Sequence, residues 1–311
     1  MESKIARIQR LKKEKDAVIL AHYYVRDEIQ DIADYVGDSY YLSEKATQIE
    51  EKNIVLCGVI FMGESVKILN PDKTVRMPDM SADCPMAHMV TAERIKEVRG
   101  QYEDLAVVCY VNSTAAIKTC ADVCVTSSNA LKIVRALPNR NIFFIPDEQL
   151  GRYIAGQLPE KNFIFNDGYC HVHANISKED MEKAKQARPK ARILAHPECR
   201  QEVLDYADYV GSTSGIIDFA TNSDDREFII CTEMGVMYEL QKRNPDKKFY
   251  AAGNLQICPN MKKITLDKVI QVMETGIPEV QLDKDIINDA HAPLLRMLEL
   301  TDADNRKKET V

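Results

Sequence analysis

An internal repeat constrains the fold of this chain more than any other feature of its sequence. The pentapeptide ADYVG occurs at residues 33–37 and again at 207–211, and a diverged copy stands between them at 121–125. The copies begin 88 and 86 residues apart (121 − 33 and 207 − 121), and their flanking segments keep the same shifts. Each unit is therefore about 87 residues long. Self-similarity at a fixed period indicates a chain built from repeated structural units.

Every unit predicts the same order of elements. The units open with the short apolar runs VILA, AVVCYV and RILA, which are typical of strands buried on both faces of a parallel sheet. A helix is expected next, because apolar residues then follow the spacing of one helical face. The residues with this spacing are Ile29, Ile32, Ala33 and Val36 in the first unit, and Val203, Tyr206, Ala207 and Val210 in the third. ADYVG is then the end of a crossover helix that runs into the next strand.

Strand, helix and strand repeated along one chain predict an α/β fold. We expect three domains, each with three layers (α/β/α) and a short parallel sheet. Their predicted ranges are 16–100, 101–187 and 188–275. A helix over 1–15 precedes them, and a helical extension with a polar tail follows over 276–311.

Composition excludes several classes of function. The net charge is −7 and no long run of Lys or Arg occurs, which argues against a nucleic-acid partner. No apolar run approaches the roughly 20 residues of a membrane span, and the first 20 residues lack the apolar core of a signal peptide. We therefore expect no membrane partner and a cytoplasmic location. Nine cysteines in such a chain are expected to be reduced.

Polar groups recur where the first strand of each unit is predicted to end. The three matching segments are His22-Tyr23-Tyr24, Tyr110-Val111-Asn112 and His196-Pro197-Glu198. Ligands of parallel α/β sheets bind beyond the carboxyl ends of the strands. We therefore expect these segments, which carry acid, base and hydrogen-bonding groups, to face a ligand.

Hydroxyl groups recur after the second strand of each unit. Ser39, Ser127 and Thr213 stand just before the next helical pattern. A hydroxyl at this place either caps the helix or, together with the helix N-terminus, binds an anion. Its recurrence in all three units favours a shared anion site.

Three cysteines follow the repeat. Cys84, Cys170 and Cys258 lie near the end of their units, 86 and 88 residues apart. Proline follows the first and the third, as it does in some iron–sulfur ligand motifs. The other cysteines do not show this pattern: Cys57, Cys109 and Cys231 lie in apolar strands and are expected in the core, Cys120 and Cys124 straddle a helix-to-strand junction, and Cys199 follows Glu198.

Three thiolates that meet between domains require a metal. A structural zinc site would need a fourth ligand, which His171 or His173 could supply. An iron–sulfur cluster held by three cysteines instead leaves one iron open as a Lewis acid. The acid, base and hydroxyl groups around the cysteines favour the second alternative. A non-enzymatic redox or iron sensor also remains open, although the sequence shows no clear docking surface.

These segments together resemble the quinolinate synthase family. The resemblance rests on AHYYVRDEIQDIADYVGDSYYLS, MSADCPMA, CYVNSTAAIKTCADVCVTSSNA, HPECRQEVLDYADYVGSTSG and GNLQICPNMKK, and it extends from about residue 16 to 300. It implies a triangular, pseudo-threefold protein around one 4Fe-4S cluster, with Cys84, Cys170 and Cys258 as ligands and one iron free for substrate. The implied reaction joins iminoaspartate (iminosuccinate) to dihydroxyacetone phosphate and gives quinolinate, phosphate and water for NAD biosynthesis. Functional coupling to an aspartate-oxidising enzyme is expected.

The expected roles follow from this reaction. Glu198 is the first candidate for the base, and Tyr24, Tyr110, His22 and His196 are further candidates for proton transfer. The substrate-binding set is His22, Ser39, Tyr110, Val111, Asn112, Ser127, His173, His196, Pro197, Glu198 and Thr213. We expect no Lys or Arg in the site, so hydroxyls, an amide and helix N-termini must bind the carboxylates. His173 is either a phosphate contact or a core histidine bonded to backbone.

Overall fold

The elements of the first unit surround one parallel sheet. The computed structural model describes residues 2–308, so residue 1 of the predicted first helix and residues 309–311 of the predicted tail lie outside it. The strands are β1 (Ala17–His22), β2 (Tyr35–Gly37), β3 (Asn53–Cys57) and β4 (Thr74–Arg76). The helices are α1 (Lys4–Glu14), α2 (Asp27–Ile32), α3 (Ser39–Gln48), α4 (Ile60–Leu69) and α5 (Ala92–Arg99).

The second and third units repeat this plan. The second contains β5 (Leu105–Tyr110), β6 (Val123–Val125), β7 (Asn141–Ile145) and β8 (Asn162–Phe165), with α6 (Ala115–Lys118), α7 (Ala130–Ala136), α8 (Glu148–Gly156), α9 (His171–Ala174) and α10 (Lys178–Ala187). The third contains β9 (Arg192–Ala195), β10 (Tyr209–Val210), β11 (Glu227–Cys231) and β12 (Lys248–Ala251), with α11 (Gln201–Leu204), α12 (Thr213–Asn222) and α13 (Val236–Arg243). Two further helices follow, α14 (Leu266–Thr275) and α15 (Lys284–Lys308).

The three sheets have the same topology. Within the described residues the strand orders are β2-β1-β3-β4, β6-β5-β7-β8 and β10-β9-β11-β12, and every ladder is parallel. The predicted α/β fold with three parallel sheets is thus confirmed. The domain boundaries that we drew from the sequence stay predictions.

The repeated Ala-Asp pair has a structural cause. Each aspartate follows the crossover helix and binds one residue of the first strand of its unit through both main chain and side chain. Asp34 Oδ2 accepts the N–H of Ile19 at 2.8 Å, while the Asp34 N–H donates to the Ile19 carbonyl at 2.9 Å. Asp122 and Asp208 make the same pair of bonds to Val107 and Ile193. The aspartate therefore sets where the second strand begins.

The predicted helical face was wrong at its carboxyl end. Helix α2 ends at Ile32, and Val36 lies in β2, paired with Ala21 of β1. In the third unit α11 ends at Leu204, and Val210 lies in β10. The helical spacing continued by coincidence into a tyrosine–valine pair, which favours extended structure.

The hydrophobic core does not divide evenly among the units. One continuous core contains the central strands of the first two units and also Met261 and Ile264, which follow the third sheet. The third unit has two separate clusters, one on each face of its sheet, around Ile193 and Phe228. The segment after β12 therefore leaves the third unit and packs with the first two.

Helices outside the repeats join the units. Helix α1 packs against α14, with ion pairs from Lys4 to Asp267 and from Arg7 to Glu274. Helix α15 contacts α4 of the first unit and α6, α7 and β6 of the second. Among the described residues, no helix combines the length and apolar character needed to cross a membrane.

Candidate active site

One cavity collects side chains from all three units. Its lining includes thirteen of the residues predicted from the sequence: His22, Tyr24, Ser39, Cys84, Tyr110, Asn112, Ser127, Cys170, His173, His196, Glu198, Thr213 and Cys258. Val111 and Pro197 are buried but are not among the lining residues, and their roles stay predictions. Residues from equivalent strand ends, far apart in the sequence, thus share one cavity.

Two histidines at these strand ends are neutral. Burial lowers the pKa of His22 to about 3, and the Lys262 ammonium acts in the same direction. Burial also lowers the pKa of His196 to about 3. Each ring therefore offers one N–H donor and one acceptor nitrogen at neutral pH.

Glu198 is a buried carboxylate within a network of polar side chains. One of its oxygens lies 2.6 Å from His173 Nδ1 and 3.8 Å from His196 Nδ1. Burial raises the pKa of Glu198, but His173, His196 and the Tyr110 hydroxyl outweigh this effect and hold the pKa at about 2. The His173 and His196 rings stack with centroids 4.7 Å apart. Glu198 is therefore ionised and already able to accept a proton.

Tyr24 links this network to the third unit. Its hydroxyl lies 2.7 Å from both the Thr213 and the Thr232 hydroxyls. Thr232 in turn lies 2.8 Å from His173 Nε2. Hydrogen bonds thus run from Tyr24 through Thr232 to His173, whose other ring nitrogen lies 2.6 Å from Glu198. Burial raises the pKa of Tyr24 well above its usual value, so its phenol stays protonated.

The capping interpretation of the three hydroxyls was wrong. The residues before them, Asp38 and Ser212, cap α3 and α12 by accepting N–H groups of Tyr41 and Gly215. Ser39 and Thr213 are the first residues of these helices, and Ser127 lies two residues before Asn129, which precedes α7. Since the caps come from other residues, these hydroxyls are left to line the cavity. The Ser127 hydroxyl lies 3.1 Å from His196 Nε2.

The other cysteines are placed largely as expected. All nine are free thiols, and Cys57, Cys109 and Cys231 are fully buried in their strands, which confirms them as core residues. Cys199 is also buried, and its thiol lies 3.3 Å from the Cys231 carbonyl. It does not line the cavity.

The three cavity cysteines have the donor chemistry of a metal centre. Burial raises the pKa of Cys84 to about 12 and raises those of Cys170 and Cys258 above the usual value. Each cysteine precedes a short helical turn: Pro85–His88, α9 and Met261–Lys263. Main-chain N–H groups of these turns lower the thiol pKa values. Three partly buried thiols with raised pKa values become thiolates when a bound cation replaces their protons, and the residues therefore fit a metal–sulfur group.

A single-ion site is the alternative. The ligand atoms of Cys170, His173 and Glu198 lie within 4.8 Å of one another. Both His173 ring nitrogens, however, already lie within 2.8 Å of oxygen atoms of Glu198 and Thr232. A zinc ion would have to displace one of these contacts, which makes this group the poorer fit.

Sequence reasoning missed several residues around the cavity. Asp38 and Thr126 line it, and with Ser212 they occupy one repeat position, 88 and 86 residues apart, so the repeat itself could have identified them. Sequence reasoning also missed Lys262, which is not among the lining residues but lies beside them. Lys262 lies four residues after Cys258, donates to the Tyr24 carbonyl at 2.6 Å and lowers the pKa of His22.

Comparison with known proteins shows the family. A family model described as quinolinate synthetase A protein matches residues 6–299. A quinolinate synthase of Fusobacterium nucleatum is 54% identical over 294 residues, which are 94% of this chain and 98% of the relative. Quinolinate synthases of Caldicellulosiruptor saccharolyticus (52% over 294 residues, 94% and 97% of the two chains) and Aquifex aeolicus (46% over 299 residues, 94% and 93%) are also similar. The chain therefore belongs to the quinolinate synthase family of enzymes.

Proposed function

We propose that this protein is a quinolinate synthase that condenses iminoaspartate with dihydroxyacetone phosphate, giving quinolinate, phosphate and water for NAD biosynthesis. The supporting observation is the convergence of one cysteine and one set of strand-end polar groups from each unit on a single cavity. A cytoplasmic location and coupling to an aspartate-oxidising enzyme stay predictions.

The proposed cofactor is a 4Fe-4S cluster held by Cys84, Cys170 and Cys258. Three partly buried thiols beside one cavity support this proposal, as do the N–H groups directed at their sulfurs. Once bound, such a cluster would supply an open iron that polarises a substrate oxygen. The three thiols would hold it where the strand-end side chains surround the substrate.

Neutral donors are proposed to bind the substrate carboxylates. Helices α3 and α12 each begin with a cavity hydroxyl, and the N–H groups at a helix N-terminus attract anions. The buried Asn112 Oδ1 has no hydrogen-bond partner among the described residues, so this amide is available to a ligand. His173 remains our candidate for a phosphate contact, beside Cys170 in the cavity, and the phosphate would have to replace the Thr232 hydroxyl that now lies 2.8 Å from its Nε2.

Glu198 is proposed to take the proton during triose enolisation. Its carboxylate is ionised and buried, so no water shell has to be removed before it reacts. A carboxyl whose pKa is about 2 releases a proton readily. We therefore expect Glu198 to give this proton to the hydroxyl that leaves as water in a later step.

Anaerobic purification tests this function. We expect a brown protein with about four irons and four sulfides per chain that forms quinolinate from the two substrates. Cys84→Ala, Cys170→Ala and Cys258→Ala should each abolish the cluster and the activity. Cys231→Ala is the matched control, because this buried thiol lies in β11 away from the cavity, and it should retain both. Stoichiometric zinc without iron after anaerobic reconstitution would contradict the proposal and favour the Cys170, His173 and Glu198 site.

A further inference from the structure

Two buried carboxylates with no assigned role stand at the same position of the repeat. Asp147 follows β7 and Glu233 follows β11, 86 residues later, while the corresponding residue after β3 is Val59, 88 residues before Asp147. The two acidic residues are 0% and 1% exposed. A carboxyl group this deeply buried requires hydrogen-bond partners.

Glu233 binds the loop that carries Cys258. Its Oε1 accepts the main-chain N–H of Cys258 at 3.0 Å, and its Oε2 accepts the N–H of Gly235 at 2.6 Å. The Lys262 ammonium lies 3.0 Å from Oε1 and balances the charge. One carboxylate thus connects the end of β11 to the cysteine and to the turn that follows it.

Asp147 binds its own cysteine loop less directly. Its Oδ1 accepts the Leu150 N–H at 2.7 Å and caps α8. Its Oδ2 is buried without a hydrogen-bond partner among the described residues, and burial raises the pKa of Asp147 well above its usual value. The neighbouring Glu148 N–H also binds the Gly168 carbonyl at 2.8 Å, two residues before the cysteine.

The first unit reaches the same arrangement from another position. The side chain of Val59 cannot accept a hydrogen bond, so the acceptor comes from Asp83, the residue directly before Cys84. Asp83 Oδ1 accepts the Cys84 N–H at 2.8 Å. The Asp83 side chain is 40% exposed, so this bond is less protected than that of Glu233. The main-chain N–H groups of Cys84 and Cys258 therefore each donate to a carboxyl oxygen.

We propose that Asp83 and Glu233 are positioning residues that hold Cys84 and Cys258 by their main-chain N–H groups and so direct the sulfurs into the cavity. The inference rests on the metal–sulfur centre of the proposed function. Hydrogen bonds to a charged acceptor are short and strong, and they fix the peptide plane before the cysteine. Groups that orient metal ligands in this way commonly change metal affinity when they are lost.

The rate of iron release to a chelator under anaerobic conditions tests this inference. Glu233→Ala removes the acceptor, and release should become faster by on the order of 10 to 100-fold. Glu233→Gln keeps an oxygen acceptor for the Cys258 N–H and should release iron at close to the parent rate. Glu64→Gln is the matched control, since Glu64 accepts the Ala115 N–H at 2.8 Å and, among the described residues, is hydrogen-bonded to none of the three cysteines. It should not change the rate.

The thermal midpoint of each metal-free variant separates positioning from general stability. Iron release by Glu233→Ala at the parent rate would overturn the inference. So would release by Glu233→Gln that is as fast as release by Glu233→Ala, if the thermal midpoint of Glu233→Gln is unchanged. Should Glu233→Ala fail to fold, Asp83→Ala removes the same contact at an exposed position. Faster release there supports the inference, and an unchanged rate overturns it. A parent protein that binds no cluster would instead refute the proposed function.

Discussion

At the scale of single residues, Glu198 has the most unusual surroundings in the cavity. We predict that Glu198→Gln keeps the size of the side chain but cannot take a proton, so turnover should fall by about 100-fold or more. Iron content should stay at the parent level, because Glu198 is not a proposed ligand. Quinolinate formation and iron analysis on one preparation check both statements. Glu202→Gln, on the exposed face of α11, is the control and should keep parental turnover. Near-parental turnover by Glu198→Gln would show that Glu198 is not the base.

His22 should make the metal-free protein sensitive to acid. Its pKa in the folded protein is lowered to about 3, against about 6.5 in an unfolded chain. Acid therefore protonates the unfolded chain first, and stability falls as the pH drops from about 6.5 towards about 3. At pH 5 the loss from this one residue is about 2 kcal/mol.

Urea unfolding of the metal-free protein at pH 7 and pH 5 checks this prediction. His22→Gln should lose about 2 kcal/mol less than the parent between these pH values. His291→Gln, on α15, should lose as much as the parent. Equal losses for His22→Gln and the parent would show that His22 is protonated in the folded state.

The repeat predicted which residues face the cavity but not how they bond to one another. His22, Tyr110 and His196 follow from their spacing alone. The contacts of Tyr24 with Thr213 and of His173 with Thr232 cross between distant segments, and their lengths depend on how closely the units approach. Lys262 was missed because its approach to Tyr24 is a tertiary contact without a counterpart in the repeat pattern.

At the scale of elements, the end of α14 depends on one glycine. Gly276 has φ +74°, in the left-handed region, and a Cβ there would meet only the Arg76 side chain at 3.7 Å. We predict that Gly276→Ala lowers the free energy of unfolding by about 1 kcal/mol through backbone strain alone.

Gly156 provides the opposite control for this prediction. It is the last residue of α8, it has no positive φ, and a Cβ there would have nothing within 4 Å. Gly156→Ala should therefore raise the unfolding free energy by roughly 0.5 to 1 kcal/mol. Urea unfolding of the two variants measures both signs, and a loss of similar size in both would contradict the backbone argument.

Strands were easier to predict than the ends of helices. The runs that form β1, β5 and β9 are short, apolar and bounded by polar residues, so their apolar character alone identified them. Caps depend on single hydrogen bonds, and Asp38 and Ser212 compete for this place with the hydroxyl that follows each of them. A sequence with two capping residues in succession does not show which one binds the helix.

At the scale of the whole molecule, α15 joins the first unit to the second. Leu294 lies in the shared core with 0% exposure, whereas its neighbour Leu295 is 38% exposed. We predict that Leu294→Ala lowers the unfolding free energy by about 2 to 5 kcal/mol, because it opens a space between the units. Leu295→Ala should change it by less than about 0.5 kcal/mol. Thermal unfolding of the two variants compares them, and equal shifts would mean that α15 does not seal this border.

The path of the chain after β12 affects how the centre can be rebuilt. This segment leaves the third sheet, packs Met261 and Ile264 into the core of the first two units, and continues into α14 beside α1. The segment therefore links the third unit to the first two. If the proposed cluster is lost, the three thiols stay on one folded chain, at an effective concentration on the order of millimolar with respect to one another. Reloading would then need iron and sulfide from solution but no assembly of separate protein parts.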